Sequence, residues 1–185
     1  MIDVNELRRG VTFTMDTELY KVLEYQHHKP GRGKAVIRTT LRNLRTGATI
    51  QHNFISGDRV EDIRVERRGV QYLYTDGDLY HFMDTETYDQ TALSRALLGE
   101  QDLYIKEGME LVLSTYEGEP LDIELPTTVA MEVVEAEMAV AGDTATGTLK
   151  KVKLETGLEV QVPLFIETGD VIRVDTRTGE YVTRV

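Results

Sequence analysis

The sequence predicts an all-β protein made of three consecutive small β-barrels. Short runs rich in valine, isoleucine, tyrosine and threonine recur along the 185 residues, and turns rich in glycine, aspartate and proline separate them. The charge changes sign after the first third of the chain, which marks a first boundary. Two later strands each end in a proline, at Pro126 and Pro163, a recurrence compatible with two related barrels.

The first barrel is predicted over residues 1–64. Asp3 can cap a short helical turn, and Gly10 can end it. Strands are then expected at residues 11–15, 19–26, 35–41, 49–54 and 62–65. So many short strands in a stretch of this length are typical of an SH3-like barrel.

A basic hairpin is the most distinctive feature of this first barrel. Strands 19–26 and 35–41 flank a tip formed by Lys29, Pro30, Gly31, Arg32, Gly33 and Lys34. Proline followed by glycine predicts a type II turn with a positive φ at Gly31. Arginine at such a tip is a rigid, permanently charged donor suited to phosphate or RNA, although a simple solvated turn is the alternative.

Two further barrels are predicted over residues 65–127 and 128–185. In the first of them, strands at 71–74 and 79–83 flank a tight turn, a helix is expected at 89–98, and strands resume at 110–116 and 121–125. A barrel of about five strands with one inserted helix is typical of an OB-fold. In the last, strands are expected at 129–134, 150–154, 158–162 and 171–174, with a loop at 141–148.

Charge is distributed unevenly along the chain, with a basic first third and an acidic remainder. Residues 1–64 hold 11 lysines and arginines against 8 acidic residues, whereas residues 65–127 hold 4 against 14 and residues 128–185 hold 6 against 10. The net charges are therefore +3, −10 and −4. Such a field turns the basic tip towards polyanions and disfavours non-specific RNA binding elsewhere.

Composition and motifs argue against most kinds of active site. The chain has no cysteine, hence no disulfide or thiolate nucleophile, and it lacks the glycine-rich loops and nucleophile elbows of common enzymes. Neighbouring His27 and His28 point to opposite faces of a strand, so no metal or other cofactor is expected. With no leader and no apolar run approaching ~18 residues, a cytoplasmic protein without membrane contact is expected.

The C-terminal run, residues 154–181, closely resembles the signature of the bacterial translation elongation factor P family. The resemblance continues at the hairpin tip, in Tyr72-Leu73-Tyr74 and Phe82-Met83-Asp84, and in Gly142-Asp143-Thr144, and it covers essentially the whole chain. It implies an L-shaped, monomeric tRNA mimic that is not an enzyme. Such a factor binds both ribosomal subunits between the peptidyl and exit sites and relieves stalling at consecutive prolines by positioning peptidyl-tRNA.

The resemblance also implies roles for individual residues. Arg32 occupies the tip that reaches along the tRNA acceptor end towards the peptidyl transferase centre, and the neighbouring tip residues shape and flank it. Gly142, Asp143 and Thr144 correspond to a loop that approaches the small subunit and the exit-site codon. In the family, a lysine at the tip carries a lysine-derived group or an arginine carries rhamnose, so an enzyme that modifies Arg32 is a possible partner. This chain combines the Pro-Gly frame of the first group with the arginine of the second.

Three other interpretations stay open from the sequence alone. One is a single-stranded nucleic-acid-binding protein that uses OB-fold surfaces and tyrosine stacking, which the acidic remainder of the chain disfavours. Another is a specialised paralogue of the same family with a different sequence preference. A third is a small hydrolase built on Asp84 and Glu86, although carboxylates at such positions usually cap turns.

Overall fold

The computed structural model describes residues 1–138 and 149–185 and confirms the all-β class. All strand pairs in this part of the chain are antiparallel and form three sheets. The first sheet contains β1 (Ile2–Asp3), β2 (Thr12–Met15), β3 (Glu18–His28), β4 (Val36–Asn43), β5 (Thr49–Ile55) and β6 (Arg59–Asp62). Its strand order is β1-β6-β2-β3-β4-β5.

The second and third sheets share one topology. The second contains β7 (Glu66–Thr75), β8 (Leu79–Asp84), β9 (Gln90–Ser94), β10 (Glu110–Tyr116) and β11 (Glu119–Glu124), and the third contains β12 (Thr128–Ala136), β13 (Leu149–Leu154), β14 (Glu159–Pro163), β15 (Val171–Asp175) and β16 (Tyr181–Arg184). In both, the order across the sheet is fifth, fourth, first, second, third. The common order relates the two units, but the two prolines do not mark equivalent positions, because Pro126 follows the fifth strand of the second sheet and Pro163 ends the third strand of the third sheet.

Each sheet has its own buried core. Phe13, Phe82 and Met131 are fully buried and lie in the first, second and third cores respectively. In β4, Ile37 and Leu41 point inwards while Arg38 is exposed, which is the alternation of a strand with one buried face. The predicted boundaries at residues 64 and 127 fall in the segments that link one sheet to the next, and they stay predictions.

The helix predicted at residues 89–98 is largely wrong. Its first half is β9, which pairs with β8 and places Leu93 opposite Tyr80 in the core. Only Arg95–Leu98 form the α-helix α1, and a 3₁₀ helix follows at Gly99–Tyr104. Pairing with an unfilled edge of β8 overrides a weak local helical preference, because the ladder satisfies backbone groups and buries Leu93 at once.

Two smaller predictions in the first sheet have different outcomes. The strand expected at 62–65 lies earlier, at Arg59–Asp62, because Val60 enters the core and pairs with Ile2. The helical turn near the N-terminus is a 3₁₀ helix over Val4–Glu6, and Asp3 caps it by accepting a 2.8 Å hydrogen bond from the Asn5 amide. In the described residues, no helix has the length and apolar character needed to cross a membrane.

The turn after β15 in the third sheet makes the stability of the protein depend on pH in the acidic range. The carboxylate of Asp175 accepts 2.8 Å hydrogen bonds from the backbone and the guanidinium of Arg177, and these contacts lower its pKa from 3.8 to about 2. The charged form is favoured in the folded state, so this stabilisation is complete above about pH 4 and disappears as the pH falls through about 2.

We therefore expect Asp175→Asn to lower the melting temperature at pH 7 and to remove part of the loss that the parent shows between pH 4 and pH 2. Thermal unfolding at a series of pH values measures both effects. Asp89→Asn is the matched control, because the side chain of Asp89 is exposed and holds no such turn. Parallel stability curves for the parent and Asp175→Asn would contradict the assignment.

Candidate functional site

The hairpin formed by β3 and β4 carries the predicted tip beyond the core of the first sheet. The two strands pair from Tyr20 and Asn43 to His28 and Val36, with a bulge after Val22. β3 is exposed from Glu24 to His28, and β5 supports the other side of the hairpin as far as Ile55. The tip is thus a loop, residues 29–35, held at the end of three paired strands.

The tip itself differs from the predicted type II turn. The positive φ falls at Gly33, at 102°, and Gly31 has none. The chain reverses over a longer loop than a two-residue turn, because the last paired residues on either side are His28 and Val36. Glycine at Gly33 suits this backbone, since an L side chain is disfavoured at that φ.

The three cationic side chains of the tip are free to bind an external anion. Lys29, Arg32 and Lys34 are all exposed. None of them takes part in an ion pair with another of the described residues. Free guanidinium and ammonium groups at the end of a projecting hairpin can donate charge-assisted hydrogen bonds to phosphate oxygens.

A polar groove runs across the sheet just below the tip, and sequence reasoning did not single it out. Its walls are two cross-strand rows on β3, β4 and β5, namely Gln26, Arg38 and Asn53, and Glu24, Thr40 and Gln51. Beside it, the Arg8 guanidinium lies 5.1 Å from the ring centre of Tyr25. The available signal was the polar alternation of three strands, but only their register brings these side chains together.

The other candidate groups have structural explanations. His52 packs edge-on against Phe54 at 4.5 Å, and the described residues contain no group of three potential ligands that could hold a metal. Asp84 accepts hydrogen bonds from the amides of Glu86 and Thr87, which lower its pKa, so this carboxylate caps a turn.

The tyrosines proposed for base stacking divide between core and surface. Tyr72 and Tyr80 are buried in the core of the second sheet. Tyr74 is exposed but stacks on His81, with 4.5 Å between ring centres. The predicted small-subunit loop, Gly142, Asp143 and Thr144, lies outside the described residues.

Models of one protein family match all three sheets of the chain. Residues 3–60 match the family model described as the elongation factor P KOW-like domain, residues 65–123 the elongation factor P OB domain, and residues 129–184 the elongation factor P C-terminal domain. The chain is 52% identical over 184 residues to elongation factor P of Moorella thermoacetica and 47% identical over 185 residues to that of Pelotomaculum thermopropionicum, with both partners covered in full. A solved structure titled eukaryotic translation initiation factor 5A from Methanococcus jannaschii shares the fold, with a TM-score of 0.50 and 21% identity over 66% of this chain and 92% of that one.

Proposed function

The chain belongs to the elongation factor P family of translation factors, and from that premise we propose that it binds the ribosome between the peptidyl and exit sites. There it promotes peptide bond formation when consecutive prolines stall synthesis. It acts as a cytoplasmic monomer, without a cofactor, on both subunits and on peptidyl-tRNA. We retain residues 1–64, 65–127 and 128–185 as its three domains.

The observation that carries this proposal is the set of unpaired cations on the projecting hairpin. Lys29, Arg32 and Lys34 are exposed and free of carboxylate partners among the described residues. The tRNA acceptor end offers closely spaced phosphates, which are suitable partners for such groups. Pro30, Gly31 and Gly33 shape the loop, and Gly142, Asp143 and Thr144 approach the small subunit and the exit-site codon.

The proposed mechanism is to orient the peptidyl-tRNA and needs no catalytic group from the protein. Proline has a fixed φ and no backbone N–H, so peptidyl-prolyl-tRNA is held in unreactive geometries. A basic tip that binds the tRNA backbone restricts this mobility and favours the reactive alignment. Orientation of this kind can lower a barrier by several kcal/mol without an acid, a base or a nucleophile from the protein, at about 1.4 kcal/mol for each tenfold in rate.

Arg32 is also the proposed site of any modification of the tip. Its residue type excludes a modification directed at lysine, and the alternatives are a bare, a rhamnosylated or an otherwise modified guanidinium. The intact mass of the protein from its native host, with fragmentation to locate any addition, decides between them. A gain of about 146 Da on the peptide containing Arg32 identifies a deoxyhexose, and an unchanged mass means that the bare guanidinium suffices.

A reconstituted translation system tests the function. Two templates that differ only in a run of prolines or alanines are translated with and without the purified chain. We expect the chain to raise the full-length product from the proline template and to leave the alanine template unchanged. Equal stimulation of both templates, or of neither, would contradict the proposal.

A further inference from the structure

A buried joint connects the first and second sheets. Leu19, Leu44 and Leu121 form a small apolar cluster, each with at most 2% of its surface exposed. Leu19 lies on β3, Leu44 follows β4, and Leu121 lies on β11 of the second sheet. A cluster of this kind excludes water from the contacts around it, and electrostatic interactions there are less screened.

One ion pair crosses this joint from the strand that carries the tip. Nζ of Lys21, on β3, lies 2.9 Å from Oδ2 of Asp122, on β11. The Asp122 side chain is only 8% exposed, and its other oxygen accepts a hydrogen bond from the Ile123 amide. The Lys21 side chain is 29% exposed, so only the carboxylate end of the pair is buried. Removing Lys21 leaves the buried Asp122 carboxylate without its cation, and the pair therefore favours one relative orientation of the two sheets.

Further contacts surround this pair and restrict rotation. The guanidinium of Arg42 donates a hydrogen bond to the carbonyl oxygen of Leu97, and Nε of Arg45 lies 3.3 Å from a carboxylate oxygen of Glu119. Arg42 lies on β4 and Arg45 in the turn after it, whereas Leu97 lies on α1 and Glu119 on β11. The Arg45–Glu119 pair is 40% and 45% exposed, so it resists hinge motion less than the Lys21–Asp122 pair, whose carboxylate is buried.

A small rotation at the joint would displace the tip, because Lys21 lies on the strand that carries the tip. β3 continues from Lys21 to His28 through the bulge after Val22, a span of at most about 23 Å at about 3.3 Å per residue. Over that length a rotation of about 5° at the joint displaces the tip by about 2 Å. A misplacement of about 1 Å can cost about a hundredfold in a reaction that depends on orientation.

We propose that Lys21 and Asp122 are positioning residues, which lock the first two sheets into one body and thereby fix the direction of Arg32. The locking is a property of the chain alone, whereas its effect on peptide bond formation rests on the proposed function. The two can therefore be measured separately.

Lys21→Met tests the lock, because it keeps most of the length of the side chain and removes its charge. Lys21→Arg is the matched control, since it keeps the charge. The chain has no cysteine, so His27→Cys near the tip and Asp78→Cys in the turn between β7 and β8 of the second sheet provide two unique sites for spin labels. We expect a narrow distance distribution in the parent and in Lys21→Arg, and a broad one in Lys21→Met.

Kinetics on the unlabelled variants test the positioning. With the proline template, we expect Lys21→Met to lower the maximal rate at least about tenfold, while the concentration for half-maximal effect changes less than about threefold. Lys21→Arg is expected to restore the rate. Should Lys21→Met fold poorly, Asp122→Asn keeps the side-chain shape and removes the same ion pair, with the same expected results.

The possible outcomes separate the two levels. A narrow distribution in Lys21→Met or Asp122→Asn would overturn the lock, and a broad distribution with a full maximal rate would overturn the positioning. A narrow distribution in a parent that does not relieve stalling would leave the lock standing and remove the proposed function.

Discussion

Arg32→Ala is expected to slow peptide bond formation at consecutive prolines about thirtyfold, without a change in thermal stability. Arg32 is exposed at the end of the hairpin and packs against no core, so the fold does not depend on it. A charge-assisted hydrogen bond to phosphate contributes about 2 kcal/mol, which corresponds to about thirtyfold in rate when the contact is made in the reactive arrangement. The rate on the proline template, at saturating protein, measures the effect.

Two further variants show whether position or charge matters. Arg59→Ala removes an exposed arginine of the same sheet, on β6 and outside the tip loop, and should leave the rate unchanged. Arg32→Lys keeps the charge but loses the planar donor fork, so an intermediate rate is expected. Full activity of Arg32→Ala, or an equal loss in Arg59→Ala, would show that Arg32 is not the contact that orients the tRNA.

The tip and the cores were predictable because their signals are local. Alternation along β4 separates buried Ile37 and Leu41 from exposed Arg38, and a cluster of cations with proline and glycine marks a projecting loop. The backbone of that loop was not predictable in detail, since the registers of His28 and Val36 decide its length. Similarly, β9 forms because β8 lies beside it, and its own residues prefer a helix only weakly.

The joint between the sheets carries no local signal at all. Lys21 and Asp122 are 101 residues apart in sequence, and each is an ordinary charged residue on a strand. Only the folded chain shows that one carboxylate is buried against one ammonium beside three leucines. Sequence alone could therefore predict which side chains the tip exposes, but not which contacts fix the orientation of the tip.

Gly47→Ala is expected to destabilise the protein by about 3 kcal/mol, more than glycine strain alone explains. Gly47 follows β4 in a turn that Asn43 holds by accepting from the amides of Arg45 and Thr46. A Cβ atom at Gly47 would overlap the carbonyl oxygen of Ala96 in the second sheet's unit and lie 3.2 Å from its carbon. The positive φ of 76° costs about 1 kcal/mol for alanine, and overpacking of this kind adds about 2 kcal/mol.

Gly57→Ala separates these two contributions, because Gly57 has a positive φ of 100° and no atom within 4 Å of an added Cβ. Urea unfolding should give a loss of about 1 kcal/mol for Gly57→Ala and about 3 kcal/mol for Gly47→Ala. If the sheets move apart to relieve the overlap, the loss of stability is smaller, and the distance distribution between spin labels at His27→Cys and Asp78→Cys becomes broader. Equal losses in the two variants with an unchanged distance would mean that Gly47 and Ala96 do not meet, and that the two sheets approach each other less closely than their leucine cluster requires.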